Sequence, residues 1–273
     1  MTFYQRLRFI QRKSNSLLCI GLDSDIRKIP RSLLKHRNPI YQFNKKIIGA
    51  TKDLVCAYKL NLAFYEAIGK QGWGTMHRTL SLIPDDVLTI GDAKRGDIGT
   101  TAELYAKSLM VDYAFDACTV NPYLGEDSVL PFLKNKYQGA FILALTSNPG
   151  ANDFQYLNTQ GRPLYEHVIS KVRKWNSKKN CGLVIGATRP SDLKRARKLA
   201  PEMPILIPGI GAQAGNVELA VRYGCDGKGE LAILNAGRSI LYASHQADFA
   251  KAARAAALKL RGEINSYRGK LFP

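Results

Sequence analysis

Short apolar or β-branched runs alternate along the chain with longer stretches of helical periodicity. Eight such runs occur: SLLCIGLD (16–23), VCAYKLN (55–61), LTIGDAK (88–94), ACTVNPY (117–123), AFILALTSN (140–148), GLVIGAT (182–188), PILIPGI (204–210) and LAILNAG (231–237). Between them lie amphipathic stretches such as TTAELYAKSLM, EDSVLPFLKNKY, PLYEHVISKVRKW and SDLKRARKLA, and a basic helix, ADFAKAARAAALKLRGEI, follows the last run. Strands that alternate with helices pair in parallel through right-handed crossovers, and eight such units close into a (β/α)8 TIM barrel, an α/β fold. An open doubly wound sheet is the alternative, but GLDSDIRKIP after the first run lacks the G-x-G-x-x-G of its dinucleotide-binding form. MTFYQRLRFIQRKS, basic and amphipathic, predicts a short N-terminal helix.

Length and composition narrow this picture. The 273 residues suit a single barrel domain, 1–273, because barrels of about 250 residues fold as one unit. No stretch approaches ~18 consecutive apolar residues, and the basic start lacks the apolar core of a signal peptide. A soluble cytoplasmic protein with no membrane partner is expected. The five cysteines contain no C-x-x-C pair, and four lie in or beside apolar runs, which predicts buried reduced thiols. The four histidines are scattered, so no metal-ligand spacing arises.

Charge adds a question. Lys and Arg total 40 against 22 Asp and Glu, a formal +18. The clusters RLRFIQRK, KVRKWNSKK, RPSDLKRARK and KLRGEINSYRGK all fall on predicted helices spread along the chain, with no nucleic-acid motif beside them. A generally basic, solvated surface accounts for them without a nucleic-acid partner. Such a surface would draw in a phosphorylated substrate from long range.

Polar residues gather where the apolar runs end: Asp23, Lys59 with Asn61, Asp92 with Lys94, Asn121, Thr146 with Ser147 and Asn148, Thr188, and Arg238. A parallel barrel carries all these ends to one rim. Asp92 and Lys94 are two apart on a strand, so both side chains leave the same face and can touch. A lone buried Asp–Lys pair could be structural. Lys59 and Asp97 extend it to alternating signs around one position, which stability alone explains poorly. Thr100-x-x-Glu103 reads as a capping box for the following helix. PGIGAQAGN (208–216) and Arg238 offer a phosphate site after the seventh and eighth strands. The aperiodic segments 24–39 and 148–162 both follow strand ends and would lie over the same rim as lids.

In family order the chain carries LDSD, KLNLAFYEAIG, DAKRGDIGTTAELYA, TVNPYLGEDS, LTSNPGA, GLVIGAT, PGIGAQAG and the Arg238 segment. With these it resembles the orotidine 5′-phosphate decarboxylases, in their longer bacterial form, over nearly its whole length. It departs at Leu60, where the family has proline, and at NAGRSI, where serines usually precede the arginine. The resemblance implies decarboxylation of orotidine 5′-phosphate to uridine 5′-phosphate without metal, flavin, pyridoxal phosphate or thiamine. Its charged tetrad falls on Lys59, Asp92, Lys94 and Asp97, with Lys94 delivering a proton to C6. It implies a homodimer in which Asp97 and Thr101 enter the neighbouring subunit's site. Asp23 and Lys59 would bind the ribose hydroxyls, with Asn61 a further substrate-binding residue. Thr146 or Ser147, with Pro208, would line the pyrimidine, and Gln213 with Arg238 would grip the phosphate.

Two rival readings remain. Metal-dependent keto-sugar phosphate decarboxylases and hexulose phosphate synthases share the D-x-K-x-x-D strand but carry an acidic residue where this chain has Lys59. A basic nucleic-acid-binding protein on a barrel scaffold is suggested by the net charge alone.

Overall fold

A computed structural model of the chain describes residues 1–211 and 216–273. Eight parallel strands close into a barrel in chain order: β1 (Leu18–Gly21), β2 (Ala57–Asn61), β3 (Leu88–Arg95), β4 (Ala117–Val120), β5 (Gly139–Leu145), β6 (Cys181–Ile185), β7 (Ile205–Pro208) and β8 (Ala232–Ala236). Each overlaps one of the eight apolar runs. They read as continuous apolar segments because the strands bury both faces, one toward the barrel interior and one beneath the helices. Closure follows from register: Ile20 on β1 lies opposite Tyr58 on β2 and Ala236 on β8.

The longer helices are α1 (Phe3–Lys13), α2 (Pro39–Thr51), α3 (Gly72–Leu80), α4 (Gly99–Lys107), α5 (Leu164–Trp175), α6 (Pro190–Leu199), α7 (Val217–Gly224) and α8 (Phe249–Leu271). Their apolar faces cover the strands; Phe43 of α2 stacks on Phe249 of α8 at 5.1 Å between ring centroids. All five cysteines are buried and free. Among the described residues no helix is long and apolar enough to cross a membrane.

The structure corrects three local expectations. Thr100 does not cap a helix: α4 already begins at Gly99, Ile98 occupies the cap position, and no side chain caps it. Gly99 turns the chain with φ +51°, a conformation glycine adopts without strain, so Thr100 lies inside the first turn. EDSVLPFLKNKY forms only a helical turn, Glu126–Val129, and a 3-10 turn, Leu130–Leu133. Pro131 lacks the N–H that a continuing helix needs. The basic run KVRKWNSKK outlasts its helix, since α5 stops at Trp175.

The N-terminal helix has a definite task. Its capping box pairs Thr2 with Gln5, and it lies across the end of the barrel where strands begin. Phe3 packs on Gly139 at the start of β5, where an added Cβ would fall 2.5 Å from the ring. Tyr4 donates its hydroxyl to the Cys181 carbonyl at 2.5 Å. Fully buried Gln11 donates to the Ala232 carbonyl at 2.7 Å and accepts the Leu231 N–H at 2.9 Å, completing the edge of β8. Arg8 and Arg12 tie the outer face of α1 to Asp226 and Glu230, each at 2.5 Å. Gln11→Ala strands two buried backbone groups. It should lower the unfolding free energy by about 2–4 kcal/mol in urea denaturation; an unchanged midpoint would show that the helix does not secure this end.

Candidate active site

At the opposite end, where the strands finish, lies a cavity of about 500 Å³. That is a size suited to a nucleotide-sized ligand. Asp23, Lys59, Asn61, Asp92, Ser147, Pro208 and Arg238 all line it, although up to 215 residues separate them in sequence. The segment after β1 adds Asp25, Arg27 and Lys28, and the adjoining β8 with the segment after it adds Asn235 and Tyr242.

An ordered chain of charges runs along the wall at the ends of β1, β2 and β3 to Lys94, which pairs with Asp92 but is not itself among the lining residues. Lys59 projects from β2, 4 % exposed, and its Nζ donates to Asp92 Oδ2 at 2.8 Å and to Asp23 Oδ1 at 3.4 Å. Asp92 Oδ1 accepts from Lys94 Nζ at 2.6 Å. The order Asp23, Lys59, Asp92, Lys94 therefore alternates in sign. Burial alone would push the Asp92 carboxyl up, but the Lys59 and Lys94 ammoniums outweigh it and hold the group well below the usual carboxylate range. Burial would likewise push Lys59 down, and the Asp23 and Asp92 carboxylates outweigh it and hold the ammonium above the ordinary lysine value. Both groups are charged at neutral pH.

Asp92 and Lys94 meet as the sequence predicts, but not by simple strand alternation. The pairing of β3 with β4 shifts register between Gly91 and Arg95, and Lys94 sits at φ +47°. A non-glycine residue in this left-handed region carries strain on the order of 1–2 kcal/mol. Thr119 on β4 holds the irregular turn: its Oγ1 accepts the Lys94 N–H and donates to Asp92 Oδ1, both at 2.9 Å. Thr119 sits inside an apolar run, where a β-branched residue signals only a strand, so sequence reasoning missed it.

Other expected residues lie elsewhere. Asp97 does not line the cavity; its carboxylate accepts the neighbouring Ile98 N–H at 2.9 Å, and it forms no ion pair among the described residues. Thr101 is exposed on the first turn of α4. Thr146 secures the loop after β5, with its N–H on Gln155 Oε1 at 2.8 Å and its hydroxyl on Asn148 at 2.6 Å, leaving Ser147 to face the cavity. Gln213 lies outside the described residues. Arg238 opens a helical turn, Arg238–Leu241, directly after β8 and makes no ion pair among the described residues. Tyr242 one residue beyond that turn had no sequence signal. Its hydroxyl accepts the Asp25 N–H at 2.8 Å and donates to the Asp23 carbonyl at 3.1 Å, fastening the segment after β1 to the segment after β8.

The arrangement can hold a ligand with an anionic end at Arg238 and a second reacting group beside Lys94. Among the described residues no group of three or more His, Cys, Asp or Glu could hold a metal ion. Thr119→Val keeps the shape of β4 but removes the hydroxyl that positions Lys94 and Asp92. It should lower kcat/KM about tenfold through kcat, with only about 1 kcal/mol lost from stability. Steady-state kinetics with a parallel melt decide it, and an unchanged kcat would remove Thr119 from the site.

Known proteins share this architecture. A family model described as the orotidine 5′-phosphate decarboxylase / HUMPS family matches residues 16–255. The orotidine 5′-phosphate decarboxylase of Dehalococcoides mccartyi is 47% identical over 272 residues, which is 98% of this chain and 99% of that one. The protein of the same name from Flavobacterium johnsoniae is 46% identical over 260 residues, 94% of each chain. The solved structure of Leishmania donovani OMP decarboxylase aligns with a TM-score of 0.86 at 36% identity, covering 98% of this chain and 99% of that chain.

Proposed function

The chain belongs to the orotidine 5′-phosphate decarboxylase / HUMPS family and converts orotidine 5′-phosphate to uridine 5′-phosphate; we propose that Lys94 is its proton donor and that no metal or organic cofactor takes part. The observation that carries this reading is the alternating chain Asp23, Lys59, Asp92, Lys94, whose first three members line the cavity and whose fourth is paired to Asp92. Cleavage of the bond between C6 and the carboxylate releases CO2 and leaves the electron pair on C6, where the pyrimidine offers no ordinary electron sink. The positive charge of Lys94 stabilises that pair as it develops and then supplies the proton that completes uridine 5′-phosphate. Solvent returns a proton to the amine. Asp92 stands beside the substrate carboxylate and disfavours the bound ground state more than the transition state, from which that charge has moved.

Lys59 and Asp23 hold ribose hydroxyls and keep Asp92 ionised, with Asn61 at the same wall. Ser147 and Pro208 flank the pyrimidine, and Arg238 with Gln213 takes the phosphate. The phosphate is far from the reacting carbon, so its binding energy serves to order the loops after β1 and β5 over the site. The basic surface steers this anionic substrate, which carries both a phosphate and a carboxylate, and a nucleic-acid role is not needed to explain it. Lys59 separates the reading from the metal-dependent relatives, because it fills with an ammonium the place where they carry an acid. Buried free thiols suit a cytoplasmic protein.

We assign Asp97 and Thr101 to the neighbouring site of a homodimer. Asp97 forms no ion pair with a lysine among the described residues, and Ile98, Leu104 and Val111 are exposed apolar side chains on and beside α4, with Tyr123 and Leu124 exposed after β4. A second copy covering this face would bury them and carry each Asp97 across.

Purified protein treated with EDTA should turn over orotidine 5′-phosphate at its full rate, followed by the ultraviolet change on loss of the carboxylate; a folded but inactive sample, or one rescued only by magnesium, overturns the assignment. Mixing inactive Lys94→Ala and Asp97→Ala proteins under subunit exchange should restore about one quarter of wild-type activity, since half the dimers are mixed and each has one intact site. No recovery despite demonstrated exchange would place Asp97 in its own chain's site.

A further inference from the structure

One buried polar group on the cavity wall has no place in this scheme. Asn235 stands on β8, opposite Cys19 of β1 and Pro208 of β7, and is only 7 % exposed. It lines the cavity, yet its side-chain Oδ1 is enclosed and accepts no hydrogen bond from the described residues. Buried side-chain oxygens are nearly always paired, and an exception in a binding cavity marks a position that a ligand or a fixed water completes.

The surroundings say what kind of group is missing. Gly21 leaves the floor beneath Asn235 bare: a Cβ there would lie 3.3 Å from Asn235 Oδ1, 3.6 Å from Asn235 Nδ2 and 3.6 Å from Asp23 Oδ1. Two acceptor oxygens and one amide donor therefore flank one spot over the end of β1. Asp23 Oδ1 receives Lys59 Nζ at 3.4 Å, whereas Asn235 Oδ1 receives nothing from the described residues. The spot calls for hydrogen-bond donors, and a hydroxyl suits it because it donates to the oxygens and can accept from Nδ2.

Orotidine 5′-phosphate has three at neutral pH: the 2′-hydroxyl, the 3′-hydroxyl and the pyrimidine N3–H. Its carboxylate, phosphate and ring carbonyl oxygens only accept and would be repelled by Oδ1. N3–H belongs to the end of the ligand held by Ser147, which follows β5; in an eight-stranded barrel that is the side facing β1 across the cavity. The sugar hydroxyls remain. Resting on the decarboxylase reading above, we infer that Asn235 accepts a hydrogen bond from one ribose hydroxyl, beside Asp23, and makes the site selective for an intact vicinal diol.

Asn235 is thus a sugar-binding residue contributed by β8, a strand otherwise credited only with leading into the phosphate arginine. The test is a cycle of enzyme and substrate changes. kcat/KM is measured for wild type and Asn235→Ala with orotidine 5′-phosphate and with its 2′-deoxy and 3′-deoxy analogues. For wild type, removing the hydroxyl that Asn235 holds should cost about 10- to 100-fold. In Asn235→Ala that same removal should cost less than about threefold, while loss of the other hydroxyl costs as much as in wild type. Penalties that multiply unchanged in the variant would overturn the inference and assign Oδ1 to a fixed water. Should the alanine variant not fold, Asn235→Leu, which fills the volume, enters the same cycle. The wild-type series also stands alone: equal turnover of all three substrates removes the sugar role while leaving the decarboxylase reading intact. No turnover of orotidine 5′-phosphate by folded wild type refutes that reading instead.

Discussion

The Asp92 carboxylate, held between two ammoniums inside the barrel mouth, is the interaction around which the site is arranged. A lysine as buried as Lys59 keeps its charge only beside a compensating acid, and Asp92 supplies it at 2.8 Å. The same carboxylate pairs with Lys94, whose side chain is half exposed. Removing Asp92 would leave Lys59 only its longer contact with Asp23, and removing Lys59 would leave Asp92 only Lys94 and Thr119, a loss of up to about 3–5 kcal/mol. A well-packed apolar substitute for the whole cluster would be at least as stable, so the cluster is explained by chemistry and not by folding.

Linkage sets the pH range over which this holds. The Asp92 pKa is depressed in the folded chain, so its contribution is present above the ordinary carboxylate value near ~4 and fades as pH falls toward the folded value. The Lys59 pKa is raised, so its contribution is complete below the ordinary lysine value near ~10.4 and fades only as pH rises through the folded value. Between about pH 5 and pH 9 both terms are at full strength. The Asp92–Lys59 pair therefore does not titrate across this range.

The barrel was legible in the sequence because a parallel strand buried on both faces has no choice but to read as an apolar run, and eight of them alternate with helices. The rim was legible for the same reason: Asp23, Lys59, Asn61, Asp92, Ser147, Pro208 and Arg238 stand where those runs stop, and all seven line one cavity. What sequence could not show depends on register and on departures from regular geometry. Thr119 gains its role only because β3 slips against β4 and Lys94 turns left-handed. Asn235 matters because Gly21, some 200 residues away, leaves a bare floor beneath it. Tyr242 joins two loops that no local pattern connects. Thr100 misled because a capping pattern describes chemistry that is possible, while the left-handed Gly99 started the helix first.

The segment from Ile90 to Thr101 divides its charges between two geometries. Asp92 and Lys94 stand on or at the end of a strand, held by Lys59 and Thr119 on its neighbours, as the proposed placement of a proton donor against a developing carbanion requires. Asp97 follows three residues later, past the irregular turn, and is not among the residues lining its own cavity. In the proposed dimer this turn does two jobs with one distortion: it aims Lys94 inward and carries Asp97 outward to the neighbouring site. Strain at Lys94 would then be offset by contacts on both sides of an interface. Assembly and catalysis would be inseparable, because a lone subunit would hold Lys94 in place and still lack the second acid that completes the alternating ring around the substrate.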